Sequence, residues 1–362
     1  MNIIKICYLA DINSTHTHKW LDYFVNKGYD IHVISLGEGQ YEGVTVHSLD
    51  VQDNVMKKIS DKNKLEYLKK IKRVRSLIKE IKPDILHAHY ASSYGLLGAL
   101  ANYHPYIISV WGSDIYDFPI KSPIHKFIIK YNLKKADHIL STSNVMKIET
   151  EKYTNKDIKV TPFGVDINKF IPNRTEKEEI VIGTIKTLEE KYGVQYLIKA
   201  FKEVKERNKC LKLKLRIGGR GSQESYLKEL VKEFAIDEDV TFLGFVNPKD
   251  VIKEFQNFDI AVFPSTLDSE SFGVAAVEAE ACGTPIVVTD VGGLMESTKP
   301  NVTSLVAKKN SVEDLSEKIE ILVKDKDLRL KMGTDARKFV EENYSLENNF
   351  NDVDKIYINI MS

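Results

Sequence analysis

Two glutamates, Glu270 and Glu278, stand eight residues apart in the segment SESFGVAAVEAEACG, and the residues between them are almost wholly apolar. The segment follows an apolar run that ends near Phe263. We therefore predict that a helix begins near Ser271 or Phe272, and a glycine such as Gly283 is well suited to the position just after its end.

Eight helical residues advance by about 12 Å along the helix axis. The paired carboxyl groups of glycosidases lie only about 5–9.5 Å apart across one sugar bond. The spacing therefore favours contacts at the two ends of one extended ligand, about as long as a diphosphate. The free amides at the helix start would lie between the carboxylates and would stabilise an anion.

Two series of alternating elements must position these carboxylates. In the first series, strand-like runs cover 3–10, 29–35, 83–89, 105–110 and 136–142, and amphipathic helical segments cover 15–27, 62–81, 92–103, 122–136 and 143–153. In the second series, strand-like runs cover 180–186, 212–219, 240–245, 259–265, 284–290 and 303–307. This alternation is typical of parallel sheets with helices on both faces.

A stretch rich in proline, glycine and charge, TPFGVDINKFIPNRTEKEE, separates the two series and suits an inter-domain linker. We predict an α/β protein with an N-terminal Rossmann-like acceptor domain over 1–168 and a C-terminal Rossmann-like donor domain over 169–343. A final helix over 344–362 is predicted to cross back to the first domain. Ligands of such sheets bind beyond the carboxyl ends of the strands.

Composition narrows the class of protein. The 362 residues carry no net charge, yet residues 1–172 hold 24 basic and 18 acidic side chains, and the remainder holds 28 and 34. The three cysteines form no CxxC pair, no apolar run approaches 18 residues, and the N-terminus does not resemble a secretory signal. We therefore expect a cytoplasmic protein.

The quoted segment, extended to SESFGVAAVEAEACGTPIVVTDVGG, resembles the Glu-x7-Glu signature of glycosyltransferase family 4, the group 1 enzymes. PFGVDINKF, GTIKTLEEKYG, GGRGSQESYLKEL, FLGFV and VWGSDI extend the resemblance over nearly the whole chain. The family comprises retaining, nucleotide-sugar-dependent transferases with the GT-B fold, in which two Rossmann-like domains face an inter-domain cleft. The resemblance implies that fold and that activity here.

The resemblance also implies donor contacts. Glu270 would bind the transferred hexose and Glu278 the nucleotide ribose. The amides of Ser271, Phe272 and Gly273 would contact sugar and phosphate. Lys186 and Lys191 match an arginine–lysine pair of the family, although a lysine replaces the arginine and offers a point charge instead of a bidentate fork.

Three further features belong to the predicted donor side. The GGRG turn at Gly218–Gly221 follows a strand, and we expect close backbone approach to the donor around Gly219. Backbone groups of Phe245 or Val246 would read the base, with a core strand as the competing interpretation. His89 matches a family histidine near position 6 of the donor sugar.

The acceptor side is expected in the first domain. Polar residues after its first strand, Asn13, Ser14 and His16, replace a glycine pair that many relatives carry there. Ser113 and Asp114 follow another strand and suit an acceptor-side polar cluster. Asp114 suits a helix cap equally well.

The resemblance implies retention by front-face attack, in which a donor phosphate oxygen takes the proton of the acceptor hydroxyl. The donor would be a nucleotide-diphosphate sugar, with UDP the commonest choice of the family. The product would be surface polysaccharide or a glycoconjugate, built on a sugar or a lipid-linked sugar. A nucleotide-sugar 2-epimerase of the same fold and a non-catalytic partner subunit remain as alternatives. No cofactor, metal or nucleic-acid partner is expected.

Residues 62–82 carry nine lysines and arginines against two glutamates. With Lys126, Lys130, Lys134 and Lys135 they form either a solvated helix face or a surface for anionic lipid. Peripheral association with the inner face of the cell membrane is therefore an open alternative to a fully dissolved enzyme.

Overall fold

The structure is a computed structural model, and it describes residues 3–51, 64–173 and 177–361. The contacts between residues divide the chain into two units. Unit 1 comprises Met1–Phe163 and Glu347–Ser362, and unit 2 comprises Gly164–Leu346. The first two residues of the predicted helix 62–81, and residues 174–176 of the predicted linker, lie outside the described residues.

Unit 1 contains a seven-stranded sheet in which every pairing is parallel. Its strands are β1 (Lys5–Leu9), β2 (Asp30–Ser35), β3 (Val44–Ser48), β4 (Ile85–His89), β5 (Tyr106–Val110), β6 (His138–Ser141) and β7 (Ile158–Val160). Their order across the sheet is β3-β2-β1-β4-β5-β6-β7. The edge strands β3 and β7 are absent from the sequence prediction, because neither is a long apolar run.

Six α-helices connect the described strands of unit 1, and a seventh comes from the C-terminus. They are α1 (Thr15–Asn26), α2 (Lys64–Ile81), α3 (Ser93–Ala101), α4 (Ser113–Tyr116), α5 (Pro123–Lys135), α6 (Asn144–Glu151) and α14 (Leu346–Met361). Tyr357 fastens the C-terminal helix α14, because its hydroxyl lies 2.6 Å from Nδ1 of buried His87 and 3.3 Å from the hydroxyl of Tyr8. His87 is fully buried.

Unit 2 contains a six-stranded parallel sheet, and all six predicted strands are present. They are β8 (Ile180–Ile185), β9 (Leu213–Gly218), β10 (Val240–Gly244), β11 (Ile260–Phe263), β12 (Ile286–Thr289) and β13 (Ser304–Ala307), in the order β10-β9-β8-β11-β12-β13. The helices are α7 (Val194–Arg207), α8 (Glu224–Glu233), α9 (Pro248–Asn257), α10 (Val274–Ala281), α11 (Gly292–Ser297), α12 (Val312–Lys324) and α13 (Lys326–Asn343).

Arg337 of α13 joins three parts of unit 2. Its guanidinium donates to the carbonyl oxygens of Ile167 and Phe170, and to that of Ala281 at the end of α10. The segment that follows Gly164 is therefore held against α10 and α13.

Both sheets reverse the direction of their strand order at one place. In unit 1 the reversal falls between β1 and β4, and in unit 2 it falls between β8 and β11. The chain leaves these two central strands in opposite directions, which opens a crevice at their carboxyl ends where ligands of such folds bind. Among the described residues, no helix has the length and hydrophobicity needed to cross a bilayer.

Candidate active site

In unit 2, the crevice at the strand reversal brings together two of the predicted catalytic side chains. Lys186 follows β8 directly, and Glu270 lies in the loop after the adjacent strand β11. Their side chains meet although they are 84 positions apart in the sequence, and Lys186 Nζ lies 2.5 Å from Glu270 Oε2.

This ion pair is largely withdrawn from water. The side chain of Lys186 is 16% exposed and that of Glu270 is 9% exposed. Ser265, which follows β11, places its hydroxyl 3.5 Å from the same Glu270 oxygen. Removal of either partner of such an ion pair is strongly destabilising, because it leaves the other charge buried and uncompensated.

Tyr192 brings the second predicted lysine to the same place. The Lys186 ammonium lies 4.6 Å from the centroid of the Tyr192 ring, and the Lys191 ammonium lies 5.2 Å from it. Aromatic faces attract cations at these distances. Sequence analysis did not select Tyr192, whose ring contacts both lysines.

Backbone packing fixes the loops that carry these side chains. The carbonyl oxygen of Lys191 accepts hydrogen bonds from the amide and the hydroxyl of Thr266, at 2.8 and 3.1 Å. Gly193 has a φ of +67°, and a Cβ there would overlap the carbonyl oxygen of Pro264. The loops after β8 and β11 are thus joined directly, which keeps Lys186 close to Glu270.

The helix of the Glu-x7-Glu segment begins later than predicted. It starts at Val274, not at Ser271 or Phe272, because Gly273 adopts the left-handed conformation with φ +75° and ψ +50°. Ser271 and Phe272 are buried in the loop before the helix, so the predicted amide donors precede it. The helix ends at Ala281, before Gly283, in agreement with the prediction.

Gly293 determines how closely this loop packs. A Cβ on Gly293, in the first turn of α11, would overlap the backbone of Glu270, Ser271 and Phe272. Sequence analysis did not single out Gly293, although the pair Gly292–Gly293 after β12 was a visible signal. Glu278 lies on α10 and is half-buried.

The GGRG turn packs against the Lys186 loop. A Cβ on Gly219, whose φ is +131°, would overlap the carbonyl oxygen of Lys186, and one on Gly221 would overlap that of Leu188. Close backbone approach does occur at this turn, and its partner is the chain itself. The side chain of Phe245 is 68% exposed, and Val246 is half-buried with its Cγ2 near Gly218.

In unit 1, His89 ends β4 inside a cage of aromatic rings. The centroids of Tyr8, Trp20, His87 and Trp111 lie within 5.1 Å of its ring centroid. His89 is 1% exposed, and neither ring nitrogen has a hydrogen-bond partner among the described residues. Burial, with a smaller contribution from His87, lowers the pKa of His89 well below its usual value and keeps the imidazole neutral.

The predicted acceptor-side residues after β1 are partly engaged in the fold. Asn13 donates to the carbonyl oxygen of Glu38 at 2.9 Å, and Ser14 precedes α1 without a side-chain capping bond. His16 stacks on Phe163 with ring centroids 4.7 Å apart.

Asp114 takes a structural position. It is 1% exposed, and its carboxylate accepts hydrogen bonds from the backbone amides of Ala91, Trp111 and Gly112. These bonds tie the loop after β5 to the loop after β4. Burial raises the pKa of Asp114, and the backbone hydrogen bonds oppose that shift.

Tyr90, which sequence analysis did not select, connects the same two loops. Its hydroxyl lies 2.9 Å from the hydroxyl of Ser113, and its φ of +77° is rare for a bulky residue. Such strained backbone persists where the surrounding structure imposes it, often at functional sites. The pair Tyr90–Ser113 is thus a polar feature of unit 1 that only the structure shows.

Among residues 3–51, 64–173 and 177–361, no group of three or more histidine, cysteine, aspartate or glutamate side chains is placed to hold a metal ion.

Two parallel sheets with helices between their strands define a two-domain α/β protein of the GT-B fold. The family model described as "Glycosyl transferase 4-like" matches residues 5–143. The family model described as "Glycosyl transferases group 1" matches residues 166–339. The chain belongs to the group 1 glycosyltransferases, as its sequence motifs predicted.

Several similar proteins are named as transferases of sugars. An uncharacterised glycosyltransferase of Methanocaldococcus jannaschii is 26% identical over 91% of this chain and 90% of its own length. A second one from that organism is 36% identical, but the match covers 43% of this chain and only 39% of that protein. The N,N'-diacetylbacillosaminyl-diphospho-undecaprenol α-1,3-N-acetylgalactosaminyltransferase of Campylobacter jejuni is 29% identical over 76% of this chain and 77% of its own.

Solved structures share the fold at low sequence identity. Sucrose-phosphate synthase from Thermosynechococcus elongatus has a TM-score of 0.85 at 16% identity, and the match covers 99% of both chains. HepE of Anabaena, in complex with UDP and glucose, has a TM-score of 0.78 at 17% identity, covering 98% of this chain and 99% of that one.

Proposed function

We propose that this protein is a retaining hexosyltransferase that uses a nucleotide-diphosphate sugar, with UDP as the nucleotide. The observation that carries the proposal is the buried Lys186–Glu270 pair at the strand reversal of unit 2. A carboxylate suited to sugar hydroxyls and an ammonium suited to phosphate lie 2.5 Å apart there, so one bound sugar phosphate can contact both.

Each residue has a chemical task in this proposal. When the bond between sugar and diphosphate breaks, negative charge develops on the leaving phosphate. Lys186 and Lys191 stabilise that charge from preset positions, because Tyr192 holds both ammonium groups. Glu270 orients the hexose and is not required to act as a base. Glu278, farther along α10, holds the ribose.

Retention follows from attack on the same face that the leaving group departs from. The acceptor hydroxyl forms the new bond at the anomeric carbon as the bond to the phosphate oxygen breaks. The acceptor proton passes to a phosphate oxygen of the leaving diphosphate. This step needs no nucleophile from the protein, and it leaves the anomeric configuration unchanged.

Two names among the similar proteins guide the choice of substrates. HepE is described in complex with UDP and glucose, and the Campylobacter jejuni relative is named for a sugar on a diphospho-undecaprenol carrier. We therefore propose UDP-hexoses as the first donors to test and a lipid-linked sugar as the acceptor class, in surface polysaccharide or glycoconjugate synthesis.

The basic faces of unit 1 support association with the cytoplasmic face of a membrane, where a lipid-linked acceptor would reside.

Asn13, Ser14, His16 and Ser113 are the proposed acceptor-side residues, and His89 is the proposed neighbour of the donor sugar. Product configuration measured by NMR separates transfer with retention from epimerisation at position 2 of the sugar.

The decisive experiment replaces Lys186 by alanine and measures turnover with the UDP-sugar that stabilises the wild type most. Loss of one preset charge at a developing anion is expected to lower kcat by about 10²–10³-fold. Lys186→Arg restores a cation of larger size, and it should recover part of that loss.

Lys338→Ala is the matched control, because Lys338 lies on α13 of the same unit and its side chain is 75% exposed. It should leave turnover unchanged. A melting scan must accompany each variant, since removing Lys186 leaves Glu270 buried without its cation. Full turnover in a folded Lys186→Ala variant would disprove the proposal.

A further inference from the structure

Tyr90, the first residue after β4, has a strained backbone that its neighbours hold in place. Its φ of +77° lies in the left-handed region that bulky residues rarely adopt. Its amide donates to the carbonyl oxygen of Ser109 in β5, and its carbonyl oxygen accepts from the amide of Gly95 in α3, both at 2.9 Å. Glycine would meet the same backbone requirement without strain, so the backbone alone does not call for a tyrosine here.

The side chain of Tyr90 contributes to a pair of hydroxyl groups at the carboxyl edge of the unit 1 sheet. Its hydroxyl lies 2.9 Å from that of Ser113, and both residues are half-buried. Whichever hydroxyl donates in this bond, the pair keeps one more proton to donate and lone pairs to accept. A sugar hydroxyl, which both donates and accepts, can satisfy both capacities at once.

Aromatic rings lie beside this hydroxyl pair. The ring centroid of Trp111 is 5.8 Å from that of Tyr90 and 6.0 Å from that of His16, and all three residues are half-buried. An aromatic face is apolar and carries partial negative charge, which suits the C–H groups on the face of a pyranose ring. Rings with a few converging polar groups are typical of small-molecule sites.

The loops at this edge of the sheet carry no positive charge. The described loops after β1, β2, β4, β5 and β6 contain three acidic residues and neither lysine nor arginine. These loops cover 10–14, 36–43, 90–92, 111–112 and 142–143. The loops after the strands of unit 2 contain five cations, which are Lys186, Lys191, Arg220, Lys308 and Lys309. The two sheets therefore differ in the charge that they offer to a ligand.

Backbone amides at the same edge are already bound by carboxylates of the chain. Asp114 accepts hydrogen bonds from the amides of Ala91 and Gly112. Asp11 accepts one from the amide of Asn13 at 3.0 Å. Such loop amides are the groups that a phosphate would use, and a second anion beside each carboxylate would be repelled. This edge therefore suits a neutral ligand better than a phosphate.

We infer that the carboxyl edge of the unit 1 sheet binds a neutral pyranose of the acceptor, with the Tyr90–Ser113 hydroxyl pair on its hydroxyl groups and Trp111 along its ring. Any phosphate of the acceptor lies outside this edge. The inference rests on the proposed transfer to a sugar and specifies which part of the acceptor is bound. A simple glycoside without phosphate or lipid is then sufficient as a ligand.

Tryptophan fluorescence tests the binding directly, because the chain contains only Trp20 and Trp111. Trp20→Phe leaves Trp111 as the single indole. This variant is titrated with the methyl glycosides of glucose, galactose, mannose and N-acetylglucosamine, and with the 6-phosphates of the same sugars. At least one methyl glycoside should change the fluorescence in a saturable way, and its 6-phosphate should bind no more tightly. If Trp20→Phe melts early, wild type serves instead, since Trp20 is only 2% exposed.

Two variants test the hydroxyl pair with the glycoside that binds. Tyr90→Phe removes one hydroxyl and should raise the dissociation constant of the glycoside about three- to tenfold, as expected for one hydrogen bond. Ser113→Ala should have a similar effect. Neither change should alter the thermal shift by UDP-sugars, which a general loss of structure would reduce.

Tyr153→Phe is the matched control, because it removes the same atom elsewhere in unit 1. Tyr153 is half-buried and follows the C-terminal end of α6. That helix starts directly after β6, so its end lies at the opposite edge of the sheet. The control should bind the glycoside as wild type does.

Three results would overturn the inference. They are the lack of a saturable response to any methyl glycoside, binding of a 6-phosphate about tenfold tighter than its glycoside, and equal glycoside affinity in Tyr90→Phe and Tyr153→Phe. The donor site is judged separately by the thermal shift with UDP-sugars. Glycoside binding without that shift would leave the sugar site standing and reject the proposed transferase, whereas the shift without glycoside binding would reject the sugar site alone.

Discussion

Glu280 is a buried ionisable residue whose replacement gives a sharp test of this structure. It lies on α10 two residues after Glu278, it is fully buried, and neither carboxylate oxygen has hydrogen-bond geometry with a described residue. Burial raises the pKa of Glu280 well above its usual value of 4.5, and the nearby Thr303 hydroxyl only partly opposes the shift. Burial therefore favours the protonated, neutral form of this carboxyl group in the folded protein.

The direction of the pH dependence follows from the raised pKa. Below about pH 4.5 the carboxyl is protonated in both folded and unfolded chains, so it adds no pH dependence. As the pH rises further, the unfolded chain loses this proton first, and the folded state loses stability by up to about 1.4 kcal/mol per pH unit. The loss continues until the pH passes the raised pKa of the folded protein.

Two substitutions separate ionisation from polar burial. Glu280→Gln keeps a polar group that cannot ionise, so it should remove the pH-dependent loss. Glu280→Met fills a similar volume without a polar group, and it should also remove the cost of an unpaired buried polar group, about 1–3 kcal/mol. At about 2–4 °C per kcal/mol for a domain of this size, this contribution alone should raise the melting temperature by roughly 2–12 °C, and removal of the ionisation loss adds to the rise at pH 7.

The assay is differential scanning calorimetry of wild type and both variants from pH 5 to pH 9. The difference between wild type and Glu280→Gln should grow with pH, whatever other groups titrate. A Glu280→Met protein that melts below wild type, or a pH-independent difference for Glu280→Gln, would refute the burial of an unpaired carboxyl.

Three more predictions concern the candidate site. Gly219→Ala should disrupt the turn next to Lys186 and abolish the thermal shift by UDP-sugars. The control is Gly28→Ala, at a positive φ with open space around it, which should lower the free energy of unfolding by only about 1–2 kcal/mol. Tyr192→Leu should lower turnover several-fold and Tyr192→Phe much less, because phenylalanine keeps the ring face; equal rates for both would argue against the lysine contact. Activity should persist after dialysis against EDTA, and a rate restored only by added divalent metal would contradict the metal-free mechanism.

Strand prediction succeeded where the sequence carried its strongest signal. All six predicted strands of unit 2 are present. The strands β11 and β12 are buried at every position, and β8 and β9 are buried at four of six positions, so apolar residues mark them in the sequence. The edge strands β3 and β7 were missed because β3 is only half-buried and β7 has three residues. An edge strand is held mainly by hydrogen bonds to its one neighbouring strand, so its sequence does not have to be apolar.

Some contacts of the candidate site could not be predicted from the sequence, because they depend on how side chains are placed in three dimensions. The sequence offered Lys186, Lys191, Glu270 and Glu278, all through recognised motifs. It did not show that Tyr192 lies against both lysines, since a ring contact is a property of three-dimensional placement. In the sequence alone, Glu280 does not differ from other acidic residues of a helix, and only the packing of α10 shows that it is buried.

The sequence by itself determined the two-domain α/β class, the strands of the second domain and the family to which the chain belongs. It could do so because apolar periodicity and local motifs are written in neighbouring residues. The tertiary structure decided that Lys186 meets Glu270, that Gly273 delays the start of α10, and that Asp114 is bound by backbone amides. Those outcomes depend on which strands become neighbours and how closely their loops pack, and such long-range contacts leave no local pattern in the chain.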